Sequence, residues 1–234
     1  MSSDHLRRLS AMSSAMTARC GHAADSSPAA AMNEQIIVER LPKDALSADC
    51  FRLQRVVAPT AASLKKGEVL CETIAFVVAA GQRAGLQGSA SYAGAPVTGV
   101  VMGGSSVSRV VASNDPSVSA GALVSSNGWQ RFTVQKAASI VQYEEGDDGL
   151  DPAHHIGVLG TNGLTAYFGL LDIGKPKPGE TVVVSGAAGS VGHLVCQLAK
   201  NLGCRVVGVA GEWEKIDLLG PLAEAGESPR SAAC

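Results

Sequence analysis

The stretch from Thr181 to Gly211, TVVVSGAAGSVGHLVCQLAKNLGCRVVGVAG, constrains this chain more than any other. A β-branched run enters a turn of small residues, a helical pattern follows, and a second apolar run closes the segment. Val191, Leu194, Val195, Leu198 and Ala199 recur at helical spacing and give the helix one apolar face. Strand, helix and strand in this order predict a βαβ unit with parallel strands and a right-handed crossover.

The glycines indicate what the turn is for. Gly186, Gly189 and Gly192 lie in GAAGSVG, directly after the strand and at the opening of the helix. Small residues let the backbone approach a pyrophosphate, and the helix N-terminus offers that anion N–H groups and a partial positive charge. Gly192 allows helix and strand to pack closely. The dinucleotide fingerprint is G-x-G-x-x-G, and here Ala187 holds its first position with Gly186 just before it. The flanking strand and helix favour dinucleotide binding over a tight turn that binds nothing. The predicted cofactor-binding residues of the turn are Gly186, Ala187, Ala188, Gly189, Ser190, Val191 and Gly192.

What precedes the turn reads as β structure. QIIVER (35–40), FRLQRVV (51–57) and LKKGEVLCETIAFVV have the alternation of strands, and the segment from Ala79 to Ala95 is expected to be loop. GVVMGGSSVSRVVAS (99–113) is expected to be a strand pair bent at its glycines, and AGALVSSNGWQRFTV (120–134) two strands across an Asn-Gly turn. The acidic run EEGDDGLDP (144–152) marks a hinge. HHIGVLGTNGLTAYFGLLDIG (154–174) is expected to be helix, ending at Gly174 before KPKPGE. The expected domains are 32–150, β-rich, and 151–220, nucleotide-binding. Residues 1–31, alanine- and serine-rich with Arg7, Arg8 and Arg19, read as a disordered extension or a transit-like segment.

Composition narrows the function classes. A net charge of -2 gives no electrostatic reason to expect nucleic acid or an anionic membrane. No apolar run approaches the roughly 20 residues that span a bilayer, so no membrane partner is expected. The six cysteines form no C-x-x-C pair and none lies near a histidine at metal-ligand spacing, so no metal is expected and buried free thiols are. Unpaired thiols point to a reducing compartment, the cytoplasm, with the mitochondrion as the alternative if residues 1–31 are a targeting segment.

The segment GVLGTNGLTAYFGLLDIGKPKPGETVVVSGAAGSVGHLVCQLAKNLGCRVVGVAGEWEK resembles the zinc-independent medium-chain dehydrogenase/reductases, in their prostaglandin reductase and NADP-dependent alkenal/one oxidoreductase branch. MNEQIIVERLPKD, VMGGSSVSRVVASN and NGWQRFTV resemble the β-domain of that branch. The resemblance covers about Met32 to Leu219. It implies an α/β fold: a GroES-like β-rich domain followed by a partial Rossmann domain. It also implies NADPH as cofactor and hydride transfer to the β-carbon of an α,β-unsaturated aldehyde or ketone, with a homo-oligomer left open. Carried over position by position, Gly186 to Gly192 line the pyrophosphate, Thr165 lies near the nicotinamide, and Lys215 contacts the 2′-phosphate.

The chain departs from that pattern at several places. The substrate-pocket segment Asp-Pro-Tyr-Met-Arg-Gly-Arg-Met aligns with AAGQRAGL, Ala79 to Leu86, where only Arg83 survives and Gly81 replaces the tyrosine. Thr161-Asn162 replace a Met-Pro close to the cofactor. Glu212 stands about 20 residues past the glycine turn, where an acid would bind a ribose 2′-OH and repel a 2′-phosphate. Lys215 therefore argues for NADP and Glu212 for NAD, with NADP favoured by the resemblance. After Leu219 the tail PLAEAGESPRSAAC (221–234) lacks periodicity and family likeness. The expectation is thus an NADP-dependent reductase of activated C=C bonds. The alternative is a catalytically inactive truncated fragment of one, able to pair with a full-length relative.

Overall fold

The computed structural model describes residues 31–43, 45–88, 95–144, 150–211, Lys215, Leu219 and 231–233. The chain divides into two compact units, Met1–Ala153 and His154–Cys234. Most of the acidic run, the segment 1–30 and Glu212 lie outside the described residues.

In the first unit β1 (Met32–Val38) and β2 (Phe51–Val57) form an antiparallel pair, in register from Met32↔Val57 to Val38↔Phe51. β2 ends where FRLQRVV ends. β3 (Glu68–Phe76), β4 (Ser105–Ser113), β5 (Leu123–Asn127), β6 (Phe132–Lys136) and β7 (Gln142–Tyr143) form an antiparallel sheet in the order β6-β3-β4-β5-β7. The two strands flanking Asn127-Gly128 are therefore not a hairpin. β5 pairs with β4 and β6 pairs with β3, so the turn carries the chain across the sheet. The expected strand pair over 99–113 is one long strand, β4, preceded by an isolated bridge between Val101 and Ile37. Its irregularities fall in the β3–β4 register, at Leu70/Cys71 and Thr73/Ala75, and not at the glycines.

The expected loop after Ala79 contains a helix, α1 (Ala80–Leu86). Alanine favours helix, and Gln82 at the third helical position accepts the Ala79 N–H with its Oε1, the return half of a capping box. Leu86 then buries against Ile36, Val38, Cys50, Phe51, Met102 and Trp129. Trp129 is the centre of that cluster, with Phe76 stacked at 5.1 Å and Phe51 tilted at 6.0 Å between ring centroids. With only 4% aromatic residues in the chain, these three carry much of the large-side-chain burial of the unit. A second cluster under the sheet is built from Val69, Cys71, Val110, Val118, Val124 and Ala137.

Among the described residues no buried side-chain nitrogen or oxygen lacks a hydrogen bond. Asn33, 2% exposed, donates from Nδ2 to the Phe132 carbonyl and accepts the Phe132 N–H, both at 2.8 Å, and so extends the strand pairing with a side chain. Ser108 and Ser126 share a hydroxyl hydrogen bond, and Ser106 donates to the carbonyls of Gly104 and Gly128.

The second unit holds a three-stranded sheet of β8 (Thr181–Ser185), β9 (Arg205–Val209) and β10 (Ser231–Ala233), in the order β10-β9-β8, with β8 and β9 parallel. α3 (Gly192–Asn201) joins them, so the strand–helix–strand reading of Thr181 to Gly211 describes the observed order. The span 154–174 is not one helix. A 3₁₀ segment (Pro152–Ile156), α2 (Thr161–Tyr167) and a π-helical turn (Phe168–Gly174) divide it. The tail also contains a strand, β10 (Ser231–Ala233), antiparallel to β9 from Ser231↔Val209 to Ala233↔Val207. A strand edge recruits backbone rather than side chains, so a segment without periodicity can pair there.

Cys50, Cys71, Cys196 and Cys204 are buried thiols in no disulfide, as the spacing implied; Cys20 and Cys234 lie outside the described residues. Burial pushes the Cys71 thiol up to about 11. In the folded chain it stays protonated while the unfolded thiol ionises above the ordinary value of 9.0. Between those values the unfolded state binds fewer protons, so stability falls as pH rises through the window. Urea unfolding at about pH 8 and about pH 10.5 should show a larger loss for the native chain than for Cys71→Ala. Equal losses would mean that Cys71 ionises alike in both states.

Candidate functional site

The second unit assembles its core on one side of the parallel sheet. Val184 and Val206, together with the partly buried Val182, pack with Cys196 and Ala199 of α3 and with Leu170, Ala187, Cys204 and Leu219. The buried stripe of α3 centres on Cys196 and Ala199, with Val195 and Leu198 beside them. Val191 and Leu194, expected on that face, are only half-buried. Pairs three apart, such as Cys196 and Ala199, share a helix face, and the cysteine acts there as a small apolar side chain.

The turn between β8 and α3 is shaped by three glycines with different tasks. Gly186 has φ +62°, the left-handed region that favours glycine. The Gly189 N–H donates to the Gly186 carbonyl at 2.8 Å and closes the turn. Gly192 has no room for a side chain. A Cβ there would collide with the Gly186 carbonyl oxygen and stand 2.9 Å from the Ala187 Cα. The first turn of the helix thus rests directly on the end of the strand.

Exposure divides the seven predicted residues. Gly186, Gly189 and Ser190 are exposed, and Ala188, Val191 and Gly192 are partly so. Ala187 is fully buried, and its N–H donates to the Val209 carbonyl at 3.0 Å. It therefore braces the turn against β9 and presents no donor to a ligand. The first helical bond runs from the His193 N–H to the Gly189 carbonyl, and the His193 Nδ1 lies 2.8 Å from the same oxygen. The N–H groups of Ser190, Val191 and Gly192 stand ahead of that bond, at the end of the helix where an anion is favoured. A row of helix N-terminal N–H groups beside the exposed backbone of Gly186, Gly189 and Ser190 fits a pyrophosphate.

Thr165 lies on α2, exposed, and its hydroxyl donates to the Thr161 carbonyl at 2.7 Å. Its oxygen remains an acceptor. α2 is itself held by glycines whose packing role no motif announced. A Cβ on Gly163 would run into the Val158 carbonyl oxygen, and one on Gly160 would come within 2.8 Å of the His155 carbonyl. Lys175, at φ +48°, caps the π-helical turn and donates its N–H to the Leu170 carbonyl at 2.7 Å, so the helical stretch ends at Gly174, where the sequence placed its end. Lys215 is exposed and has helical backbone. Glu212, its expected opponent, lies outside the described residues. Among the described residues no group of three or more His, Cys, Asp or Glu is placed to hold a metal ion.

Gly192→Ala should destabilise the fold by about 1–3 kcal/mol, the usual cost of forcing a methyl into a filled space. Denaturant unfolding followed by circular dichroism measures it, and an unchanged midpoint would mean that the turn is looser than described.

Comparison with known proteins agrees with this geometry. The family described as the N-terminal domain of oxidoreductase matches residues 34–143. The NADPH-dependent curcumin reductase of Escherichia coli (strain K12) is 40% identical over 184 residues, covering 78% of this chain and 52% of that protein. Prostaglandin reductase 1 of Oryctolagus cuniculus is 39% identical over 171 residues, covering 72% of this chain and 46% of that protein. The crystal structure of CurA from Vibrio vulnificus aligns with a TM-score of 0.70 at 36% identity, covering 80% of this chain and 54% of that one. CurA in complex with NADPH aligns with the same TM-score at 34% identity. The chain spans about half the length of the relatives it matches. Two units, the first β-rich and the second carrying a glycine turn between parallel strands, are matched across both by these relatives: the chain belongs to the zinc-independent medium-chain dehydrogenase/reductase family.

Proposed function

We propose that this chain is an NADP-dependent oxidoreductase that directs hydride to the activated C=C bond of an α,β-unsaturated aldehyde or ketone. The observation that carries the proposal is the turn from Gly186 to Gly192, where the absent Gly192 Cβ seats a helix N-terminus against a strand end. Relatives named as NADPH-dependent curcumin reductase, NADP(+)-dependent 2-alkenal reductase and prostaglandin reductase support the cofactor and the substrate class.

In this reading NADPH, when bound, supplies the hydride. The Ser190, Val191 and Gly192 N–H groups hold its pyrophosphate, and the exposed Gly186 and Gly189 leave the backbone open to it. Thr165, its donor spent on its own helix, offers an acceptor to the carboxamide of the nicotinamide. Lys215 takes the 2′-phosphate and Glu212 opposes it, so NADPH is preferred over NADH, but less strongly than with the lysine alone. Charge that develops on the substrate carbonyl oxygen requires hydrogen-bond donors, and a metal is not needed for that task.

A second reading has its own observation. Among the described residues, Val183 and Val209 on the parallel strands are 67% and 38% exposed, whereas parallel sheets bury both faces. A catalytically silent chain that pairs with a full-length relative would use the surface around these valines.

Two measurements test the cofactor site and separate these readings. Lys215→Ala should weaken NADPH binding by roughly 1 kcal/mol, the upper scale of an exposed charge contact, and leave NADH binding unchanged. Calorimetry tests this, and equal losses for the two cofactors would remove Lys215 from the 2′-phosphate. NADPH oxidation with a short alkenal, on monodisperse material, should reach about 1 per second or faster for the reductase reading. Intact NADPH binding without turnover would favour the silent one.

A further inference from the structure

One edge of the parallel sheet has no strand beside it. The order β10-β9-β8 gives β9 a neighbour on each side and leaves β8 terminal. The Arg205 N–H donates to the Glu180 carbonyl at 2.9 Å, so that carbonyl turns toward β9. Backbone groups alternate along a strand, and Val182 and Val184 therefore turn toward β9 as well. Thr181, Val183 and Ser185 present their N–H and carbonyl groups to the open edge. Among the described residues no backbone group of another segment hydrogen-bonds to these three on that side.

The strand lacks the features that keep an edge from pairing. TVVVS holds three valines between two hydroxyl residues, with no charge and no proline. Its register against β9 runs without a bulge from Thr181↔Arg205 to Ser185↔Val209. Val184, 7% exposed, packs in the core with Val206, and the partly buried Val182 lies beside them. Val183 alternates to the other face and is 67% exposed. An uncharged, β-branched edge strand is a template for another strand.

The three outward residues specify which strand fits. A second β8 turned antiparallel about Val183 sets Val183 against its own counterpart, and Thr181 against Ser185 of the second copy. All of these become hydrogen-bonded pairs that exchange both N–H···O bonds, because the same residues carry the outward groups in each copy. Any shift along the seam leaves at least one of the three without a partner strand residue. No like charges meet within the seam, and the hydroxyls of Thr181 and Ser185 fall opposite one another. A second copy meets this register by construction, and a two-fold axis closes the pairing.

We propose that the open edge of β8 is a self-association surface: two copies of this chain join antiparallel at Val183, and their three-stranded sheets continue as one. The inference goes beyond both functional readings and requires neither cofactor nor substrate. A five-residue strand makes a short seam. The dimer therefore belongs with the small, transient interfaces that bury less than about 1,200 Å².

The test follows the full chain, without ligand, by sedimentation velocity. Half of it should be dimeric near about 50 μM, as suits so small an interface. Amide exchange is then read by NMR at about 5 and about 500 μM, where Thr181, Val183 and Ser185 should exchange about fourfold more slowly at the higher concentration. The amides of β3 and β4 should not change. Val183→Lys sets two like charges opposite each other at the two-fold axis and should keep the chain monomeric, with an unchanged circular dichroism spectrum. A native chain that stays monomeric throughout would overturn the proposal, as would a dimer without protection at those three amides. A folded Val183→Lys chain that still dimerises would overturn it too; if that variant misfolds, the native concentration series decides alone. Open-ended growth beyond the dimer would also count against it, since a two-fold seam closes.

Discussion

The close approach of Gly192 to Gly186 is the contact on which the second unit depends. With no Cβ at residue 192, the first turn of α3 lies against the end of β8, and Cys196 and Ala199 come down onto Val184 and Val206. The same approach leaves Ser190, Val191 and Gly192 as the leading N–H groups of the helix. One missing methyl thus serves core packing and sets which N–H groups lead the helix. Ala187 completes the arrangement from the other side, since its N–H ties the turn to the end of β9 and aligns the two strand ends.

The first unit has a comparable hub in Trp129. Its ring joins Phe51 and Phe76, its cluster receives Leu86 from α1, and its indole N–H shares the Val77 carbonyl with Gln82. Small residues elsewhere let segments crowd around it. Gly104 is the clearest case, because two side-chain nitrogens occupy the space a Cβ would need. A chain poor in aromatics builds its β-domain by concentrating them at one place and surrounding them with glycine, alanine and serine.

How legible these features were in the sequence follows the range of the interactions behind them. FRLQRVV, TVVVS and RVVGV carry their strand character within a few residues, and the glycine turn carries its strand–turn–helix context with it. The expected loop over Ala79 to Ala95 differed because α1 is a seven-residue helix. So short a helix is marginal on its own. It persists because Gln82 reaches Gly103 and Leu86 reaches Trp129, contacts that no local window contains. The Asn-Gly turn misled for a related reason: a hairpin signal describes the turn residues, while strand neighbours are chosen by which sheet edge is free.

The sequence by itself determined the βαβ unit, the position of its glycine turn and the burial of the described thiols, since periodicity, glycine placement and cysteine spacing are properties of neighbouring residues. Only the tertiary structure decided that Ala187 faces the core, that Gly163 yields to the Val158 carbonyl, that the sheet runs β6-β3-β4-β5-β7, and that a helix stands at Ala80–Leu86. Each of these turns on a steric contact or hydrogen bond beyond what local pattern encodes. Most join residues far apart in the chain, whose energy exists only once the segments have met.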